Sequence, residues 1–125
     1  MAQTFNGATS FIGLGVSGWD VSSVTSTAQM FKGATSFNSN LAAWSTVKLD
    51  RVQQMFQSAH AFAGDGVASF NVGKVVADGK MNDVFDDAGG ITDCNRKRID
   101  EAWNASSILW FKANDFGWTG SERCE

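Results

Sequence analysis

The chain has 125 residues, of which 43% are hydrophobic, enough for one domain with a continuous core. Its 10 basic and 13 acidic side chains give a net charge of -3, and no run of Lys or Arg is long enough to neutralise a phosphate backbone, so nucleic acid is not expected as a partner. No apolar run reaches the roughly 18 residues of a transmembrane helix, and the start of the chain does not predict a signal peptide.

Four related segments recur between residues 5 and 91. The clearest pair is MFKGATSF at residues 30–37 and MFQSAHAF at residues 55–62. An earlier copy, FNGATSF, occupies residues 5–11, and a degenerate copy, VFDDAGGI, occupies residues 84–91. Their first phenylalanines are 26, 25 and 29 residues apart, a period typical of repeat proteins whose units bury their apolar faces against one another. The equivalent apolar positions are Phe5, Phe31, Phe56 and Phe85; Trp19, Trp44 and Phe70; and Val16, Leu41 and Val67.

Each repeat is predicted to combine a short amphipathic helix with a short extended piece. Helical spacing surrounds each phenylalanine, as in Val52, Met55, Phe56 and Ala59. The tryptophan anchors lie in the extended piece. We therefore predict an α/β solenoid of about four units at residues 1–13 (partial), 14–38, 39–63 and 64–91. Its expected core is Phe5, Phe31, Phe56, Phe85, Trp19, Trp44, Phe70, Met30 and Met55.

Residues 92–125 depart from this pattern and are predicted to form a helical, aromatic cap on the C-terminal end. Thr92 or Asp93 is suited to cap a helix that begins near Asn95. Three of the five tryptophans lie at or after Trp103, which concentrates large apolar side chains where the repeats stop.

The cap also holds residues whose chemistry depends on the compartment. Cys94 and Cys124 are the only cysteines, and a disulfide between them would contribute about 3–4 kcal/mol by closing a loop and would imply an oxidising environment. The alternative is two unrelated buried thiols. Asn104 begins an Asn-Ala-Ser sequence, a glycosylation acceptor if the chain is secreted and this face is exposed.

The N-terminal end is predicted to be open. Met1 falls at the same position of the repeat as Val52, so the chain is expected to begin inside a first repeat whose extended half is missing. Either upstream repeats have been removed or another molecule covers this edge. The candidate interaction residues are Phe5, Phe11 and Trp19.

One stretch resembles a known repeat. WDVSSVT at residues 19–25, followed by MFKGATSFN at residues 30–38, is similar to the BspA-like surface-protein repeat, and the resemblance extends over residues 1–91. The segment that begins CNRK at residue 94 looks like the closing segment of algal members. The resemblance implies a leucine-rich-repeat-like solenoid, extracellular or surface display, adhesion or protein interaction, and no catalytic residues.

Three other motifs are weaker. GLGVSG at residues 13–18 matches the dinucleotide pattern GxGxxG, but it has neither a preceding strand nor an acidic residue about 20 positions later. His60 is the only histidine and occupies a loop position of its repeat. Three aspartates lack the spacing of a calcium loop and are expected to be solvated: Asp83, Asp86 and Asp87.

These observations favour a non-catalytic protein-interaction or surface-display module, with other proteins as partners and no cofactor, metal or small-molecule ligand. Such a module would act outside the cell or on its surface. The alternative is a structural subunit of a large complex, docked through its open N-terminal edge or its aromatic cap. A subunit would reside in an organellar or lumenal compartment.

Overall fold

The computed structural model describes residues 3–75 and 83–106. Its regular elements are two 3-10 helices, Val16–Gly18 and Val67–Ser69, and one α-helix, α1, at Asp93–Ser106. No strand or sheet occurs within those two ranges, although an isolated parallel bridge joins Ser26 and Arg51. The prediction of an α/β repeat forming a leucine-rich-repeat-like solenoid is therefore wrong.

The segments predicted as repeat helices are series of tight turns. In the second repeat the Ala34 N–H donates to the Phe31 carbonyl, three residues back, and the intervening Gly33 has a φ of 70°. A left-handed residue at this position is typical of a type II turn and cannot continue a right-handed helix. A series of turns that each close over three residues places apolar side chains on one side at intervals of three or four residues. An amphipathic helix has the same spacing, so the sequence pattern was interpreted as a helix. Each repeat has two such left-handed residues: Gln3 and Gly7, Gln29 and Gly33, Gln54 and Ser58, and Asp83 and Asp87.

Successive repeats stack through backbone hydrogen bonds between these turn segments. In the second repeat, Gln29, Phe31 and Gly33 donate N–H groups to carbonyls of the third repeat, while the N–H groups between them close turns within their own repeat. Every second N–H group in this segment thus bonds within its own repeat. The hydrogen bonds between the two repeats therefore do not form a continuous strand ladder. The bond of the central phenylalanine recurs as Phe5 to Met30 (2.8 Å), Phe31 to Met55 (2.9 Å) and Phe56 to Val84 (3.0 Å).

Columns of aromatic rings run through the core of the stack. In the first column the rings of Phe5, Phe31, Phe56 and Phe85 follow one another at centroid distances of 5.6, 5.7 and 5.9 Å and are nearly parallel. A second column is formed by Phe11, Phe37 and Phe62, and a third contains Trp44 and Phe70. Because each ring packs on its equivalent in the next repeat, the burial of one repeat depends on the presence of its neighbours.

Helix α1 closes the C-terminal end of the stack. Thr92 caps it, since its Oγ1 accepts the Asn95 N–H at 3.2 Å, so the helix begins two residues before the predicted start. Ile99 and Trp103 are buried against the last repeat, and the Trp103 ring lies 5.2 Å from that of Phe85.

Trp103 occupies the place that the tryptophan of a further repeat would take. Its Nε1 donates to the Val67 carbonyl at 3.3 Å. Within the stack, Trp44 Nε1 makes the equivalent bond to the Val16 carbonyl of the preceding repeat at 2.9 Å. The helix therefore satisfies the same backbone acceptor with the same side chain, although its own backbone is helical.

Candidate interaction edge

The aromatic columns end at a surface formed by Phe5, Phe11 and Trp19, which we call the N-terminal edge. Trp19 is 39% exposed, whereas its equivalent Trp44 is 4% exposed. Phe5 and Phe11 are half-buried, while their equivalents one repeat later, Phe31 and Phe37, are fully buried. The same residue types in the same register thus differ in exposure because they lie at the end of the stack.

Phe5 lies at the centre of this edge. Its ring packs on Phe11 at 4.1 Å and on Trp19 at 5.6 Å, and Phe31 lies on the C-terminal side at 5.6 Å. Phe31, by comparison, has a column neighbour on both sides. The three edge residues therefore form one preorganised aromatic cluster, the type of surface on which protein-binding energy concentrates.

Ile12 and Leu14 adjoin this cluster in sequence and were missed by the sequence analysis. Ile12 is 59% exposed and Leu14 is 88% exposed. The equivalent residues two repeats later are Ala63 and Asp65. The signal was available in the alignment of the repeats, where two large apolar residues replace a small and a charged one.

Gly15 marks an open space at the edge. It and its equivalent Gly66 share a left-handed backbone, with φ values of 84° and 87°. A Cβ built on Gly66 would lie 2.1 Å from the Ala42 nitrogen of the preceding repeat, whereas a Cβ on Gly15 would meet nothing within 4 Å. The volume that the preceding backbone fills at Gly66 is therefore open at Gly15.

Alternate backbone donors of the first turn segment point away from the edge. The N–H groups of Gln3, Phe5 and Gly7 all donate to carbonyls of the second repeat. The side chains follow the same direction, because Gln3 Nε2 donates to Gln29 Oε1 at 2.6 Å and Gln29 Nε2 donates to Gln54 Oε1. This glutamine ladder was also missed, although the glutamines recur at one position of the repeat. The N–H groups of Gln3, Phe5 and Gly7 are therefore engaged with the second repeat, on the side away from the edge.

The only histidine forms a polar contact elsewhere on the surface. His60 Nε2 lies 2.9 Å from Asp87 Oδ2, and the Ser58 hydroxyl donates to the same oxygen at 3.2 Å. The hydrogen bond to His60, followed by that from Ser58, lowers the pKa of Asp87 below its ordinary value. Both partners bind the carboxylate, so Ser58 is not hydrogen-bonded to the imidazole as a serine nucleophile would need to be.

Other predicted sites are placed as follows. The GLGVSG motif forms left-handed glycines followed by the 3-10 helix Val16–Gly18, and this is not the strand-to-helix junction of a dinucleotide site. Asp86 accepts a hydrogen bond from Gln57 Nε2 at 2.9 Å, and Asp83 is half-buried with a left-handed backbone. Over residues 3–75 and 83–106, no group of three or more His, Cys, Asp or Glu side chains is placed to hold a metal ion.

The predicted sites of the cap are only partly described. Cys94 lies in α1 and is disulfide-bonded. Cys124 lies outside the described residues, and its pairing with Cys94 stays a prediction. Asn104 lies in α1, but its side chain is outside the described part of the structure, so glycosylation there also stays a prediction.

Comparison with known protein families gives a match over most of the chain. A family model described as "Mycoplasma protein of unknown function, DUF285" matches residues 1–97, which include all the repeats. No curated protein and no solved structure matches the chain. Among the helices that the structure describes, none has the length and hydropathy needed to cross a membrane.

Proposed function

Since this chain belongs to the DUF285 family, whose function is unknown, we propose a function from its own geometry: it is a non-catalytic module of the BspA-like surface type that binds another protein through its N-terminal edge. The observation that carries this proposal is the difference in exposure between Trp19, at 39%, and its equivalent Trp44, at 4%. A bound partner would bury the outward faces of the edge rings. The next repeat along the chain already buries their inward faces.

The composition of the edge supports a protein partner. Aromatic side chains bury a large area with few rotatable bonds, and they are enriched at the centres of protein interfaces. Of the four large hydrophobic side chains that are exposed in the described residues, Trp19 lies in this edge, Ile12 and Leu14 adjoin it in sequence, and Val47 lies elsewhere. Exposed apolar side chains are typical of an interaction surface when they form one patch, whereas singly scattered ones are not.

A photo-crosslinking experiment tests this function. A photoreactive amino acid is introduced at Leu14, which is 88% exposed and contributes little to the core, and the protein is irradiated in its native cells. The matched control carries the same amino acid at Val47, also exposed but in a different repeat. We expect a product of discrete mass from position 14 that disappears when Ile12 is changed to Asp. Equal products from both positions, or none from position 14, would contradict the proposal.

Surface labelling of intact cells tests the location. We expect the chain to react with a membrane-impermeant reagent, as a surface-displayed module must. A disulfide at Cys94 is consistent with an oxidising compartment, because cytosolic thiols are kept reduced. Labelling only after lysis would contradict surface display without affecting the proposed role of the edge.

A second candidate is a structural subunit of a large complex, and the openness of the same edge favours it. A subunit would be docked permanently, whereas a surface module would be stable alone. Size-exclusion chromatography with light scattering distinguishes them. A soluble monomer supports the module, and aggregation that is prevented by co-purified chains supports the subunit in an organellar or lumenal compartment.

A further inference from the structure

We propose that Asn6 is a site of spontaneous modification, at which the side-chain amide is lost at a rate set by the backbone hydrogen bond from Gly7 to the second repeat. The products are aspartate and isoaspartate. This inference goes beyond the proposed function and does not depend on it, because it concerns the chemistry of the first turn segment alone.

The sequence at this position supplies both reacting groups. Asn6 is followed by Gly7, whose backbone nitrogen can attack the carbonyl carbon of the asparagine side chain. Glycine hinders this approach least because it has no side chain, and a Cβ built on Gly7 would meet nothing within 4 Å. No other asparagine of the chain is followed by glycine. The sequence therefore favours Asn6 over every other asparagine for this reaction.

The hydrogen bonds of the asparagine side chains also distinguish Asn6. The side-chain oxygens of Asn38, Asn40 and Asn71 each accept a backbone N–H, at 3.1, 2.9 and 3.0 Å. Asn95 is buried, and its side-chain nitrogen donates to two acceptors. These bonds restrain the rotation that would bring the amide carbon to the next backbone nitrogen. Among the asparagines whose side chains the structure describes, Asn6 is the one without such a bond, and it is exposed.

The contact between the first and second repeats holds the attacking nitrogen. The Gly7 N–H donates to the Lys32 carbonyl at 2.8 Å, and the Phe5 N–H donates to the Met30 carbonyl at the same distance. The Gly7 nitrogen must lose its proton and turn towards the side-chain carbon before it can attack, so its hydrogen bond has to break. The folded structure thus protects Asn6, and the reaction proceeds when this turn segment opens locally.

The reaction consumes only water. The deprotonated Gly7 nitrogen forms a bond to the side-chain carbonyl carbon of Asn6, the carbon–nitrogen bond of the amide breaks, and ammonia leaves with the proton. Water then opens the cyclic succinimide at one of its two carbonyl carbons. Opening at the side-chain carbon restores the ordinary backbone and yields aspartate. Opening at the backbone carbon yields isoaspartate, whose side-chain carbon has become part of the main chain.

The two products have different effects on the neighbouring repeat. Isoaspartate lengthens the main chain between the N–H groups of Phe5 and Gly7, so their spacing no longer matches the carbonyls of the second repeat. Aspartate keeps this spacing and places a carboxylate at the position equivalent to Lys32. Side chains at this position can reach one another, since Gln57 Nε2 donates to Asp86 Oδ2 at 2.9 Å. We therefore expect isoaspartate to weaken the contact and aspartate to preserve it.

Peptide mapping of the full chain, incubated folded and in urea at mildly alkaline pH, tests the site and its protection. We expect Asn6 to be lost in both samples, more slowly in the folded one, and there before Asn38, Asn40 or Asn71. Equal rates in the two samples would overturn the role of the Gly7 hydrogen bond. Earlier loss of another of these asparagines, or an Asn6 that stays intact in the folded chain, would overturn the site.

Two variants at opposite ends of the stack test whether the protection is local. Phe5→Ala removes the ring that packs on Phe31 at 5.6 Å, whereas Trp103→Phe removes one hydrogen bond at the cap. We expect Phe5→Ala to speed the loss of Asn6 about tenfold, which corresponds to about 1.4 kcal/mol less for local opening. Phe5→Leu should have a smaller effect in the same direction, and Trp103→Phe should have none. Equal acceleration by the changes at both ends would mean that Asn6 reacts only after global unfolding, which would overturn the role of the Gly7 hydrogen bond.

The separated products test the effect on the repeats. The isoaspartate form, purified from the aged chain by ion exchange, is compared with the Asn6→Asp variant in urea unfolding. Both carry the same additional charge, so their difference isolates the altered main chain. We expect the lower urea midpoint for the isoaspartate form. Identical midpoints would show that the spacing of the backbone donors at this turn contributes nothing, and would overturn the proposed effect.

Discussion

The glycine pair Gly15 and Gly66 offers a direct measure of what neighbouring repeats contribute. Replacing either by alanine forces a side chain into the left-handed region, at a cost of about 1–2 kcal/mol. At Gly66 the new methyl would also lie 2.1 Å from the Ala42 nitrogen, so the backbone must move. Overpacking of this kind costs roughly a further 1–3 kcal/mol. We therefore expect Gly66→Ala to lower the free energy of unfolding more than Gly15→Ala does.

Urea unfolding followed by tryptophan fluorescence provides the measurement, with Gly15→Ala as the control for backbone strain. The two substitutions are chemically identical and occur at almost the same φ, so their difference isolates the contact with the preceding repeat. If both variants lost the same stability, a backbone would lie as close to Gly15 as to Gly66, and the N-terminal edge would not be open.

Further predictions use the aromatic columns, the cap and the polar surface. Phe31→Ala should cost about 3–5 kcal/mol because it empties a fully buried site, whereas Phe5→Ala at the edge should cost about 1–2 kcal/mol, both measured by urea unfolding. Trp103→Phe should retain the ring contact and lose about 1 kcal/mol with the Nε1 hydrogen bond, measured by thermal unfolding, and no loss would show that this bond contributes nothing. His60→Ala should raise the pKa of Asp87 towards its ordinary value in an NMR titration. Because that pKa is lowered in the folded state, the stabilising contribution of Asp87 is present above the ordinary carboxyl pKa and is lost as the pH falls through the lowered one.

The register of the repeats could be read directly from the sequence. Large apolar residues recur about every 25 positions, and such a spacing requires equivalent side chains to stack, as the columns from Phe5 to Phe85 do. The helix after Ile91 could also be located, since Thr92 is a standard capping residue and the following apolar residues have helical spacing.

The backbone conformation within the repeats could not be read in this way. The apolar spacing around Met55 and Phe56 fits both a helix and a series of turns, and the difference lies in residues such as Gln54 and Ser58, whose φ values are 56° and 59°. Neither residue type favours the left-handed region by itself. The hydrogen bonds to the neighbouring repeats hold them there, and these contacts do not exist within a single unit.

The sequence by itself determined which residues are equivalent, which of them are apolar, and where the repeats end. Tertiary structure alone decided that turns rather than helices and strands carry these residues, because each N–H that leaves its turn finds its acceptor one repeat away. It also decided which end of the stack of repeats is covered and which is open. Trp103 of α1 packs on the last repeat, while Gly15 and Trp19 remain open at the N-terminal edge, and both outcomes depend on contacts between neighbouring repeats.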